Sequence, residues 1–395
     1  MVEFDPFNEA FFDDPYPAYR AMRRDSPVHR CKVKQHRIWP HFWMLSRAAD
    51  VDAALMDWQT FSSAKGTLID TDATLLPPNM FNMDPPRHDE LRASLARVLT
   101  PVRVAALEGH LRSSAQALVD DFKGKGAFDA STELAQLIPT LTMCELMDLP
   151  TSARTTFLKW NLDTLGGSDF TDEAALTAYA EMGAYWEGLV AERRQDPGDD
   201  LISQILHNQN EETPLSDEEI AGFCSLLHDA SQNTTMNMIA NAIIELARAK
   251  SERHKLIAAP ERWPAAVEEL LRFISPVQGL ARVTTRDVTL HDVTIPAGDQ
   301  VLLLYGSANH DETVFANPDV LDLDRDVRSH WTFGHGIHFC LGNAVARLET
   351  RVTLQVLLEN IPEFEVDEAG IVRNQLVPTR GVATAPIHFE PIREH

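Results

Sequence analysis

The chain has 395 residues, of which 44% are hydrophobic, enough to fill a large core and to exclude a disordered polymer. Its formal net charge of −24 argues against nucleic acid and against an anionic membrane surface as partners. The start, Met1-Val-Glu-Phe-Asp-Pro6, lacks a charged-then-apolar leader, and no run of about 18 apolar residues occurs, so a soluble protein is expected. The four cysteines, Cys31, Cys144, Cys224 and Cys340, are far apart and form no CxxC pair. That spacing fits neither a disulfide framework nor a closed zinc site, and suits a reducing cytoplasm.

In chain order, residues 5–24 are rich in Phe, Pro and Asp and read as a wrapping arm. Residues 39–45 look strand-like, and 48–56 read as a short helix. Residues 61–84 carry Gly66, Pro77 and Pro78 among scattered apolar residues. A loop of that length in a compact domain is often a binding loop. Helical patterns run from about Pro86 to about Ala249, with a break at Gly166-Gly-Ser-Asp169. From Val283 to Tyr305, β-branched residues around Pro296-Ala-Gly298 predict strands and a turn, and the end from Pro362 reads the same way.

The most informative stretch is Phe333-Gly-His-Gly-Ile-His-Phe-Cys-Leu-Gly342, followed at once by the helix-like Asn343-Ala-Val-Ala-Arg-Leu-Glu349. A cysteine beside a helix N-terminus is readily held as thiolate, because free N–H groups and the helix dipole favour the anion. With no second ligand nearby it suits a single axial bond to a haem iron, where thiolate pushes electron density towards O–O cleavage. The glycines permit positive φ and a close approach of main chain to a flat macrocycle.

The pattern Phe-x-x-Gly-x-x-x-Cys-x-Gly, with His338 two before the cysteine, resembles the haem-ligand loop of the cytochrome P-450 family. The resemblance extends from about Asp5 to about Phe389. It implies one domain over residues 1–395, mainly α with a smaller β region, and haem b between a long distal helix and a proximal Cys loop and helix. Cys340 would ligate the iron, with Phe333, Gly342 and, on the distal helix, Ala230 also binding the haem. His88, Arg92, Arg282 and His338 match positions that bind the haem propionates. Glu269 and Arg272, three apart in a helical stretch and so on one face, match a structural ion pair. Removing one partner of such a buried pair costs about 3–5 kcal/mol.

The stretch Phe223–Ile239 is similar to the family's oxygen-activating helix, with a departure. The usual Ala/Gly-Gly-x-acid-Thr reads Ala230-Ser-Gln-Asn-Thr234. Thr234 keeps the hydroxyl expected to help deliver protons to bound O2, while Asn233 replaces the carboxylate and cannot release and regain a proton. A Thr hydroxyl bonding back to the preceding turn can bend the helix and open space for water.

Leu226, Asp229, Ala230, Asn233 and Thr234 fall on one helical stripe, so a pocket faced by Thr234 is faced by Asp229. Three readings of Asp229 compete: pairing with a cation, accepting a substrate hydrogen bond, or acting as the missing acid moved one turn back. Substrate contact is preferred to the relay. Other candidate contacts, by family position, are Leu68, Leu75, Leu76, Met80 and Phe81 in the long loop. Val277–Leu280, including Gly279, and Val382-Ala383 near the end complete the set.

The resemblance implies a monooxygenase that inserts one atom of O2 into a small apolar or aromatic substrate, by hydroxylation or O-dealkylation. Electrons would come from NAD(P)H through a reductase and a ferredoxin, since the chain holds no flavin or iron–sulfur motif. Arg97, Arg103, Arg347 and Arg351 are candidates for docking an acidic ferredoxin. The alternatives are a peroxide-using or isomerising relative that needs no redox partner, and a non-catalytic haem or recruitment module.

Overall fold

The computed structural model describes residues 13–32, 39, 41–69, 79–150, 152–165, 173–209, 212–374 and 379–392. Packing resolves it into two compact units. The first comprises residues 1–85, 259–340 and 373–381, and the second residues 86–258, 341–372 and 382–395.

The first unit is built on a five-stranded sheet in the order Val28–Cys31, Phe42–Leu45, Gln300–Leu303, Leu280–Thr284, Phe61–Ser62. Phe42–Leu45 runs parallel to Gln300–Leu303, and the other pairings are antiparallel. Side chains alternate along a strand. Trp43 and Leu45 therefore enter one core, with the helix Ala48–Met56, while Phe42 and Met44 enter another with Tyr19 and Met22 of the helix Tyr16–Asp25. Both faces are covered, which is why Phe42-Trp-Met-Leu45 reads as an unbroken apolar run. The helix predicted over 48–56 forms over Ala48–Met56. The β region predicted from Val283 contains, besides the two sheet strands, a hairpin of Val288–Leu290 and Val293–Ile295.

The second unit is helical. Its longest element is the helix Asp217–Arg248, packed against helices Glu173–Gln195, Leu137–Leu146 and Asn343–Asn360. Ser216 and Glu219 form a capping box at its start, and Arg87 binds the Glu219 carboxylate at 2.5 Å. The predicted helical run from Pro86 is interrupted by a strand, Ala127–Asp129, and a π-helical turn, Ala130–Ala135. The strand exists because Pro386–His388 pairs with it from the far end of the chain. The predicted break at Gly166–Asp169 lies outside the described residues. Among the described residues, no helix is long and apolar enough to cross a membrane.

Candidate functional site

In the first unit, Cys340 follows the short turn Gly336–His338. Gly334 and Gly336 have φ of +65° and +71°, a region costly for any side chain. A Cβ on Gly336 would stand 2.4 Å from the Leu55 carbonyl oxygen, so the loop lies directly on the helix Ala48–Met56. Asp52 of that helix holds the loop twice, accepting from Trp331 Nε1 at 3.0 Å and meeting His335 Nδ1 at 2.5 Å. The Cys340 N–H donates to the Phe333 carbonyl at 2.9 Å, and the Phe333 ring packs edge-on to Phe339. Cys31, Cys144 and Cys224 are buried, whereas Cys340 and His338 are partly exposed. Gly342 is the N-cap of the helix Asn343–Asn360.

Arg282 is 3% exposed, and among the described residues no carboxylate pairs with it. It donates to the Ala281 carbonyl at 2.7 Å and lies within hydrogen-bonding reach of the buried Tyr305 hydroxyl. Tyr305 in turn sits against Gly334 of the cysteine loop. A buried guanidinium with only neutral partners is costly unless an anion joins it. Tyr305 gave no signal in the sequence, because its partners are distant in the chain.

Glu269 and Arg272 lie on the helix Trp263–Ile274, fully buried, with Arg272 Nε 2.6 Å from Glu269 Oε2. Arg325 adds a second cation at 3.1 Å. Sequence reasoning missed Arg325, a single arginine in an Asp-rich loop with no periodicity to mark it. Arg272 Nη1 also donates to the carbonyls of Asn309 and Pro318, at 2.7 and 3.0 Å.

In the second unit, the helix Asp217–Arg248 is continuous through the predicted oxygen-activating segment. The Thr234 hydroxyl donates to the Ala230 carbonyl at 2.6 Å, the back-bond its position suggested, without breaking the helix. Leu226, Asp229, Ala230, Asn233 and Thr234 are all at least partly accessible, as are Leu227 and Ser231, while His228, Gln232 and Thr235 are buried. The stripe therefore borders open space. Burial pushes the Asp229 carboxyl up to about 7, opposed by the Tyr179 hydroxyl from the helix Glu173–Gln195. Tyr179 is itself raised by burial and by the Asp229 charge. The expected cation beside Asp229 is not found among the described residues; its neighbour is this tyrosine.

The buried face of the same helix carries two further features that periodicity did not reveal. His228 sits among Phe157, Trp160 and Trp186, and burial drives its pKa down to about 4, so the ring is neutral. Glu349, on the helix Asn343–Asn360, is 2% exposed and within hydrogen-bonding reach of Thr142 and Thr235. Burial pushes its carboxyl up to about 7.

His88 and Arg92 share the helix Arg87–Ala96, capped by Pro86; His88 is buried, with Nδ1 2.8 Å from Asp89. Phe81, in the turn Met80–Asn82 of the first unit, is half-buried. Gly279 is held by packing, because a Cβ there would meet the Leu303 carbonyl oxygen at 2.4 Å. Val382 is fully buried; its N–H donates to Asn237 at 3.1 Å and its carbonyl accepts from Ser131 at 2.6 Å. Leu75 and Leu76 lie outside the described residues. The four docking candidates all bond within the second unit. Arg97 reaches the Asn208 carbonyl, Arg103 the Asp199 carbonyl, Arg347 the Asn343 side chain and Arg351 the Glu108 carboxylate.

A family model described as Cytochrome P450 matches residues 263–390. The chain is 39% identical to cytochrome P450 130 of Mycobacterium tuberculosis, over 94% of each chain. It is 35% identical to the vitamin D(3) 25-hydroxylase of Pseudonocardia autotrophica, over 98% of this chain and 97% of that one. The solved structure of the bacillaene polyketide synthase cytochrome P450 PksS, from Bacillus subtilis, superposes with a TM-score of 0.91. It has 31% identity and covers 98% of this chain and 100% of its own. Similarity at this level over nearly the whole length shows that the chain belongs to the cytochrome P450 family, monooxygenases that carry haem b on a cysteine thiolate.

Proposed function

We propose that Cys340 supplies the thiolate that would hold the haem iron of this monooxygenase and that the reaction is NAD(P)H-driven oxygen insertion into a small, largely apolar substrate. The observation that carries this reading is the cysteine loop: of four cysteines only Cys340 is accessible, in a loop fixed by two left-handed glycines and the Phe333 carbonyl. The group fits the donor set. Arg282 is a buried cation lacking a carboxylate partner among the described residues, which suits a propionate, and the partly exposed His338 of the same unit supplies a further donor. The bound haem supplies the redox chemistry that activates O2.

The chain's own residues bind, orient and move protons. The Thr234 hydroxyl, parked on the Ala230 carbonyl at 2.6 Å, can turn from acceptor to acceptor without leaving its rotamer neighbourhood, and so can hold a water at the accessible stripe. Asn233 holds water but does not ionise. Leu226 and Asp229, on that same accessible stripe, line the substrate's side. In a hydroxylation the balance is R–H + O2 + NAD(P)H + H⁺ → R–OH + H2O + NAD(P)⁺. Ferredoxin and its reductase carry the two electrons singly, and the reading includes a cytoplasmic location without nucleic acid or membrane as partner.

The test is a spin-state screen of the ferric protein against apolar and aromatic compounds, followed by turnover of the hits. Product formed with NADPH, reductase and ferredoxin, and dependent on O2, supports the reading. Product formed only with added hydrogen peroxide would move it to the peroxide-using alternative that Asn233 raises.

A further inference from the structure

The Asp229 carboxylate is the one acid on an otherwise neutral stripe of Leu226, Ala230, Asn233 and Thr234. It is half-buried, and among the described residues no Lys, Arg or His forms an ion pair with it. Its neighbour across the helix interface, Tyr179, is 36% exposed, and Leu176, three residues before on the same face, is 50% exposed. A carboxylate that lacks a counter-ion, with the Tyr179 ring beside it, is the complement of an organic cation on an apolar skeleton. A neutral ligand would leave the acid to be protonated or hydrated, whereas a cation restores the missing charge.

We propose that Asp229, flanked by Tyr179, is the specificity-determining residue for substrates that carry a positively charged nitrogen on an apolar skeleton. The proposal rests on the monooxygenase reading above and names its substrate class. Asp229 and Thr234 are five residues apart, so they are separated by roughly 7.5 Å along the helix axis.

Among the described residues, the other titratable groups on the packed helices are engaged elsewhere, and Tyr179 is the side chain that bonds Asp229. Glu349 faces Thr235, His228 is enclosed by aromatic rings, and Lys159 pairs with Asp163 and Glu181. Ionisation of Asp229 near neutrality therefore governs the preference, which grows as pH rises.

The test uses the ferric holoenzyme and two matched probe series. One is phenylalkyl-trimethylammonium, a permanent cation that cannot ligate iron; the other is its neutral isostere with a tert-butyl group in place of trimethylammonium. Equilibrium dialysis at pH 8 should give the cation at least about tenfold tighter binding, the value of a charged contact at a partly wet site. The preference should shrink at pH 6, and in Asp229→Asn the two series should bind alike. Tyr179→Phe should keep the preference. Equal binding of both series to the wild type at pH 8 would overturn the proposal, and so would a preference that survives Asp229→Asn. Neither result would touch the haem-thiolate reading, which the carbon monoxide spectrum of the same sample reports separately.

Discussion

Asn309 joins the buried ion pair to the cysteine loop: its carbonyl accepts from Arg272 Nη1 at 2.7 Å while its Oδ1 accepts the Trp331 N–H, also at 2.7 Å. Its amide nitrogen completes the link, donating to Ser275 and to Thr332. Arg272 thus fixes, through the backbone and side chain of one residue, the segment that leads directly into Phe333. The pair acts as a structural strut, and its effect on chemistry is indirect.

Arg272→Ala should therefore destabilise the protein strongly, by about 3–5 kcal/mol, because Glu269 is left buried with its charge only partly met by Arg325. The haem-to-protein ratio of the purified variant should fall as the loop loosens. Thermal unfolding and haem content check both parts, and wild-type values for both would refute the strut.

Thr234→Ala removes the hydroxyl that now caps the Ala230 carbonyl. Substrate binding should hold while more of the reducing equivalents emerge as hydrogen peroxide. Asn233→Asp restores an ionisable group beside it and should raise the rate of coupled turnover. Comparing NADPH consumed with product and peroxide formed decides this; unchanged or slower coupled turnover in Asn233→Asp would mean that protons do not limit the wild type.

Glu349 gives a pH signature of stability. Its carboxyl is raised from the ordinary range near 4.5 to about 7 in the fold, so the folded state holds the proton more tightly than the unfolded chain. The stabilisation is full below about 4.5 and is lost as pH rises towards 7, by on the order of 3 kcal/mol. Glu349→Gln, neutral throughout, should flatten this part of the stability profile. Denaturant midpoints measured between pH 5 and 8 check it, and an equally steep profile in the variant would place the ionisation elsewhere.

Much of this was legible in the sequence because its signals are local. The helix Ala48–Met56 is bounded by short-range pattern, and the three-residue spacing of Glu269 and Arg272 fixes a shared face whatever surrounds them. The stripe from Leu226 to Thr234 follows from the helical period alone. What was not legible depends on residues distant in the chain. The strand Ala127–Asp129 needs Pro386–His388, Arg325 reaches Glu269 from 56 positions away, and Tyr179 meets Asp229 only through helix packing. The absence of a side chain at Gly279 is likewise demanded from a distance, by the backbone of Leu303.

Thiolate ligation by Cys340 is decided by the reduced carbon monoxide spectrum of Cys340→Ser measured beside the wild type. The wild type should show the far red-shifted Soret band of a thiolate-bound haem. The variant, whose hydroxyl is close in size to the thiol and whose backbone N–H still donates to the Phe333 carbonyl, should lose that band whether or not it retains haem. A Cys340→Ser protein that kept the red-shifted band would show that another residue holds the iron.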